Sequence, residues 1–432
     1  MSDDSPAGTE LRFPKDFLFG VATSSYQVEG GIENDWSEWE RQGKLHDANT
    51  RCGRACDHWE RFYDDIPRIV ATGSRAYRMR IEWARVEPER CRWDDAAWEG
   101  YRSRVQALSQ AGIRPIITLH HFTHPTWFHE ATPWHEKSSL VAWRRYVTRC
   151  AEMLCGIDVG IVTINEPMVF WLAGYITGFF PPGLKDARRG FWALAHLAEA
   201  HVIARDAFSS RTPRADCGIA QNVLAFAPAR RWHPIDRALT RLANSNYNHA
   251  FLEALTTGRL RIQMPGLVSG SATIDGAERA MDYVGVNYYT RAHLKFQRRS
   301  PFLAFEYIDR HQRDLTDIGW EYYPEGLGQM LRQMKQYGRP IWITENGLDD
   351  RLGVRRSQFL FEHWQQVLSA ISAGINVTTY LHWSLFDNFE WLEGFGPRFG
   401  LYHVDFDTTA RTPTAALAYF RQVAESGVLQ KP

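Results

Sequence analysis

The sequence predicts an α/β chain folded as a single (β/α)8 TIM barrel with long βα loops at its C-terminal face, and three observations carry that expectation. A short apolar run rich in β-branched residues recurs eight times along the 432 residues, and a longer stretch of helical periodicity follows each. No Ser/Gly-rich linker, charge block or short repeat divides the chain, so 1–10 is assigned to a disordered N-terminal tail and 11–432 to one domain. The first βα turn, VATSSYQVEGG, lacks G-x-G-x-x-G, and no P-loop occurs elsewhere, which disfavours a doubly wound open sheet.

In chain order the runs are 17–23, 75–82, 113–120, 159–165, 217–223, 282–289, 340–345 and 376–383. Between them lie amphipathic segments such as WDDAAWEGYRSRVQALSQAG and SSLVAWRRYVTRCAEMLCG, each closing near a glycine, as helix C-termini prefer. The spacing of strand ends is well above the roughly 30 residues per unit of a ~250-residue barrel. Long loops are therefore expected on the barrel, notably 166–216 and 290–325.

Composition narrows the function classes. Lys plus Arg is 50 and Asp plus Glu is 50, so the chain lacks the basic excess that nucleic acid or an anionic membrane would require. The opening MSDDSPAGTE has no apolar signal region and no run is long enough to span a bilayer, which points to a cytoplasmic chain. Cys52, Cys56, Cys91, Cys150, Cys155 and Cys217 are then expected as free thiols. Aromatics are abundant, with 17 Trp, 17 Tyr and 24 Phe, which suits either a large core or a cleft that stacks on sugar C–H faces.

Two strand ends carry carboxylates. The fourth run ends Asn165-Glu166-Pro167 and the seventh Thr344-Glu345-Asn346-Gly347. Either glutamate alone could be an N-cap or an ion-pair partner, but two at one barrel mouth suit glycoside hydrolysis, which needs one protonated and one ionised carboxyl. Arg78 on the second strand and Tyr289 on the sixth are placed to hold Glu345 ionised, while Glu166 follows only the neutral amide of Asn165. Glu166 is thus the better acid/base and Glu345 the better nucleophile.

With these residues, FPKDFLFGVATSSYQVEG (13–30), TINEP (163–167), VGVNYYT (284–290), ITENG (343–347) and HWSLFDNFEW followed by RFGL (382–401) resemble, in register, glycoside hydrolase family 1, the retaining β-glucosidases and β-galactosidases. The resemblance implies hydrolysis of a terminal β-linked sugar on a small β-glycoside, without metal or cofactor. It implies glycone contacts from Gln27, His121, Asn165, Glu390 and Trp391, a floor from Trp383 and an aglycone platform from Trp320, with Phe399 beside them. Arg78, Asn287 and Tyr289 match the residues that orient the nucleophile. Transglycosylation on the same scaffold, or a catalytically silent sugar-binding relative, are the alternatives. A 6-phosphoglycosidase is disfavoured, because Glu390 and Glu393 stand where a phosphate would want cations.

The sequence departs from the family at three places: Arg80 stands where a small residue is usual, Met168 follows Glu-Pro in place of an aromatic, and Phe122 replaces a Trp after the glycone His. Glu82 is expected to neutralise Arg80, and the pliable Met168, with Phe122, leaves the aglycone preference open. His120, His121, His124, His129 and His135 crowd together without the spacing of a metal motif. Trp134, Trp143, Trp171 and Trp192 fit core packing as well as sugar platforms, and Arg144, Arg145 and Arg149 read as a solvated helix face.

Overall fold

The computed structural model describes residues 11–212, 214–297 and 314–432, with the backbone of a short strand at Phe305–Glu306. The tail expected over 1–10 and the middle of 290–325 lie outside the described residues. Eight parallel strands close a barrel: β1 (Leu18–Ala22), β2 (Ala76–Arg80), β3 (Arg114–His120), β4 (Gly160–Asn165), β5 (Asp216–Pro228), β6 (Tyr283–Leu294), β7 (Ile341–Asn346) and β8 (Val377–Trp383). Each pairs with its sequence neighbour, and β8 closes on β1 with Ala22 opposite Trp383. Every strand falls on one of the eight expected runs.

Two strands outrun their expected ends. β5 and β6 stay paired above the barrel rim, from Ala225 opposite Arg291 to Pro228 opposite Leu294, and raise one wall of the mouth. The barrel interior has a core of its own, separate from the shell between strands and helices. Ala22, Ala76, Ile116, Val162, Ala220 and Leu381 fill it around a Tyr283–Trp342 stack at 3.7 Å. Small residues must face these two rings: a Cβ on Gly160 would lie 2.9 Å from the Trp342 ring, and one on Gly218 2.7 Å from the Tyr283 ring.

The expected helices form over Asp95–Gln110 and Ser139–Met153, and Gly112 and Gly156 just beyond their ends take the left-handed conformation (φ +75° and +81°). The expectation of a long loop over 166–216 is corrected. A short helix, Pro167–Trp171, runs into a π-turn at Leu172–Thr177, and a 25-residue helix follows at Ala187–Arg211. That helix buries Ala193 through Ala198 without a break, so it lacks the one-sided apolar stripe by which a surface helix is read. Two antiparallel hairpins, Arg259–Met264 with Val268–Thr273 and Tyr402–Val404 with Arg411–Pro413, also went unread.

Arg145 and Arg149 do not form a simple solvated face. Arg145 pairs with fully buried Glu87, Arg149 pairs with Asp95, and both guanidinium groups lie over Trp93, at 5.7 and 4.9 Å. Trp134, Trp143 and Trp171 are core, whereas Trp192 is 46 % exposed. His120 and His124 share a 2.8 Å Nε2–Nε2 contact, and His124 Nδ1 meets Asp35 at 2.9 Å, so this part of the histidine cluster is an interior hydrogen-bond network.

Candidate active site

The strand C-termini converge on a cavity of about 480 Å³ whose walls include Glu166, Glu345 and Glu390. Glu166 directly follows β4 in the left-handed region (φ +47°) and occupies the N-cap position of the helix that Pro167 opens. Phe122 (φ +68°) and Trp391 (φ +50°) also hold this conformation and line the same cavity. Such backbone costs of order 1–3 kcal/mol per non-glycine residue, and here it turns side chains into the mouth.

Beneath the cavity a fully buried guanidinium organises the floor. Arg78 Nη1 donates to Glu345 Oε1 at 2.6 Å, Nη2 to Asn165 Oδ1 at 2.6 Å, and Nε to Thr118 Oγ1 at 2.9 Å. Tyr289 donates its hydroxyl to Glu345 Oε2 at 2.6 Å. Both oxygens of Glu345 are therefore fixed by the two residues expected to do so. Asn287 was expected to support the nucleophile, and it stands between the two glutamates: its amide donates to Glu166 Oε1 at 2.8 Å and also steadies the charge on Glu345. Thr344 Oγ1 in turn donates to Asn287 Oδ1 at 2.6 Å, which fixes which end of the amide faces Glu166.

The same burial acts differently on the two carboxyls. Glu166 is pushed up to about 8 by burial and by the charge of Glu345, against amide hydrogen bonds from Asn287 and Asn222. Burial raises Glu345 as well, but the Arg78 charge and the Tyr289 hydrogen bond pull it back toward the ionised form. Burial and the two glutamates push the Tyr289 phenol well up, so it remains a donor. Glu390 reaches about 8 through burial and the charges of Glu345 and Glu166.

Of the glycone candidates, His121, Trp383, Glu390 and Trp391 line the cavity, whereas Gln27 and Asn165 are fully buried and are not among its lining residues. Gln27 Nε2 donates to Phe389 O at 2.9 Å and Asn388 Oδ1 at 3.0 Å, which leaves its Oε1 buried without a partner among the described residues. Asn165 Nδ2 and His121 Nδ1 are buried in the same condition. The His121 ring stacks 5.8 Å from Trp391 and lies 6.0 Å from Trp383, and burial with Arg78 and Arg80 nearby keeps it neutral. Trp320 packs 5.3 Å from Tyr289 and 6.1 Å from Phe399 on the opposite rim. Arg80 does not enter the cavity. It meets Glu82 at 2.9 Å, as expected, and donates to the carbonyls of His121 and Thr123 at 3.1 and 2.7 Å, gripping the turn that presents His121 and Phe122.

Met168 is fully buried and does not line the cavity; Val169 and Leu172 do, so Met168 has no direct contact with an aglycone there. The sequence reading also missed Asn222, whose Nδ2 donates to Glu166 Oε1 at 3.1 Å and whose Oδ1 accepts from Tyr247 at 2.8 Å. A signal existed: Asn222 lies near the end of the fifth run, as Asn165 and Asn287 do in theirs. Tyr247, Leu224 and Phe180 had no such signal, because they come from segments outside the eight runs.

The family model for glycosyl hydrolase family 1 matches residues 9–428. The chain is 29% identical to a β-galactosidase of Pyrococcus woesei, over 97% of this chain and 98% of the relative, and 30% identical to β-glucosidase A of Thermotoga maritima, over 97% and 99%. The solved β-glycosidase of Pyrococcus horikoshii superposes with a TM-score of 0.90 at 36% identity, covering 98% of this chain and 97% of that one. The family 1 β-glucosidase of Thermotoga maritima in complex with deoxynojirimycin gives 0.88 at 28% identity, covering 97% and 100%. The chain belongs to glycosyl hydrolase family 1.

Proposed function

We propose that this family 1 enzyme, a retaining β-glycosidase, acts chiefly as a β-glucosidase on small β-glycosides, through one catalytic domain spanning 11–432. Glu345, held at both oxygens, attacks the anomeric carbon while Glu166 gives its proton to the departing aglycone oxygen. A covalent glycosyl-enzyme forms. Water then attacks the same carbon, returns a proton to Glu166 and frees Glu345. The observation that carries the reading is the unequal environment of the two carboxyls: one faces amides and is protonated near neutral pH, the other is bound by a guanidinium and a phenol. Proton NMR of the first product anomer from a β-glucoside tests it. The β-anomer is expected, and an α-anomer overturns the assignment.

Glycone recognition follows from the buried atoms without partners. Gln27 Oε1 accepts from, Asn165 Nδ2 donates to, and neutral His121 and Glu390 exchange hydrogen bonds with, the hydroxyls of an unphosphorylated sugar lying over Trp383. None of the described residues lining the cavity is a lysine or arginine, which supports a neutral glycone. Four of the thiols, Cys52, Cys56, Cys150 and Cys217, are buried and unpaired, which favours a reducing, cytoplasmic setting. No helix among the described residues is long and apolar enough to cross a membrane.

A further inference from the structure

The cavity continues past the two carboxyls toward solvent, and its outer half has a different chemistry from its floor. The chain leaving Glu166 presents Val169, Leu172 and Ala173, three and four residues apart on one helical face, to the opening. Phe179, 63 % exposed, and Phe180 follow from the next turn, and Leu224 faces them from the part of β5 above the barrel rim.

The hydroxyl and amide groups on this side are turned inward to protein acceptors. Thr177 Oγ1 donates to Leu172 O at 3.1 Å, Thr290 Oγ1 to Glu321 O at 3.0 Å, Tyr247 to Asn222 Oδ1 at 2.8 Å, and Asn222 Nδ2 to Glu166 at 3.1 Å. A second sugar ring placed here would leave water with its hydroxyls facing methyl groups and phenyl rings, among hydroxyls and amides that donate to protein acceptors; the Trp320 ring across the opening offers a stacking face that an alkyl or aryl group uses as well as a sugar does. Desolvating hydroxyls without replacement hydrogen bonds is unfavourable, whereas an alkyl chain or aryl ring loses only ordered water and gains contact.

We propose that the enzyme selects β-glucosides whose aglycone is an alkyl or aryl group, and that Leu172 and Leu224 set this preference over sugar aglycones. The proposal rests on the β-glucosidase reading above and adds the class of leaving group. It also predicts which acceptor captures the glycosyl-enzyme, because the deacylating nucleophile enters by the same opening: an aliphatic alcohol competes with water better than a free sugar does.

The test uses the full chain with methyl, butyl, hexyl and octyl β-glucoside, cellobiose and β-glucosyl fluoride. Fluoride is too small a leaving group to reach the outer half, so its turnover reports on the glycone site and the carboxyls alone; no hydrolysis of it would overturn the β-glucosidase reading itself. Given that turnover, kcat/KM is expected to climb about two- to fourfold per methylene from methyl to hexyl, with hexyl β-glucoside at least about tenfold above cellobiose. Leu172→Ser and Leu224→Ser should flatten the climb to under about 1.5-fold per methylene, a ratio within each protein that a general loss of activity does not move. Product partitioning in the unmutated enzyme gives a second measure: 1-hexanol should trap the glycosyl-enzyme at least about tenfold more efficiently than glucose at equal concentration. A flat alkyl series, cellobiose equal to or better than hexyl β-glucoside, or glucose outcompeting hexanol would each overturn the proposal.

Discussion

The floor and the outer wall of the cavity are built by different rules. At the floor, Arg78, Asn165, Glu166, Asn287, Tyr289 and Glu345 come from β2, β4, β6 and β7 or from the residue directly after, and hydrogen bonds of 2.6–3.2 Å join them into one network. At the wall, Val169, Leu172, Phe180 and Leu224 come from outside the eight expected runs and present apolar side chains to the cavity. Position errors are felt unequally. A displaced charge at the floor changes protonation and reach together, whereas a displaced methyl group at the wall alters contact area and little else.

The largest effect that comparison predicts is at the floor. Glu345→Ala should lower kcat by at least about 10⁴-fold on every substrate, whatever the leaving group, because neither of the other cavity glutamates, Glu166 and Glu390, has both oxygens held among the described residues. Stopped-flow with an activated aryl glucoside checks this, and a residual burst of aglycone would point to another nucleophile.

Glu166→Ala comes next and should depend on the leaving group. Poor leaving groups should lose about 10²–10⁴-fold, while dinitrophenyl β-glucoside should still glycosylate the enzyme, with azide restoring turnover and giving the β-glucosyl azide. With Glu166 at about 8, the basic limb of the unmutated enzyme's kcat/KM profile should fall near that pH and be absent in the variant. Obtaining the β-azide from the Glu345 variant instead would exchange the two roles.

A smaller effect separates the inner end from the wall. Among the described residues lining the cavity a sugar 6-phosphate would meet glutamates and no cation, so p-nitrophenyl β-glucoside should exceed its 6-phosphate by at least roughly a hundredfold in kcat/KM. Glu390→Gln should narrow that ratio above about pH 8, where Glu390 is ionised, while lowering turnover of the plain glucoside. Equal turnover of both substrates by the unmutated enzyme would remove Glu390 from glycone recognition.

The smallest effect is on stability. Glu390 titrates at about 8 in the folded chain, above its unfolded value of ~4.3, so the folded state holds the extra proton between those values. The stability this group contributes is full below the unfolded value and is lost as pH rises through the folded one. Glu390→Gln, which cannot ionise, should therefore raise Tm by a few degrees at pH 8, by less at pH 6 and not at all near pH 4. Thermal melts across that range check the sign; a gain largest at low pH would contradict it.

What the sequence determined by itself is the barrel and its floor. Eight β-branched runs set the strands, and polar residues ending otherwise apolar runs marked Asn165, Glu166, Tyr289 and Glu345, because a strand end is the one place where local pattern and site coincide. The family motifs add Gln27, His121, Asn287 and Glu390. Tertiary structure alone decided the wall, the fate of Met168, the partners of Arg145 and the place of Asn222 beside Glu166. It also decided how far Glu166 and Glu390 depart from ordinary carboxyls. Those departures come from desolvation and from charges brought close by folding, which act through space between residues far apart in the chain, so no local stretch of sequence contains them.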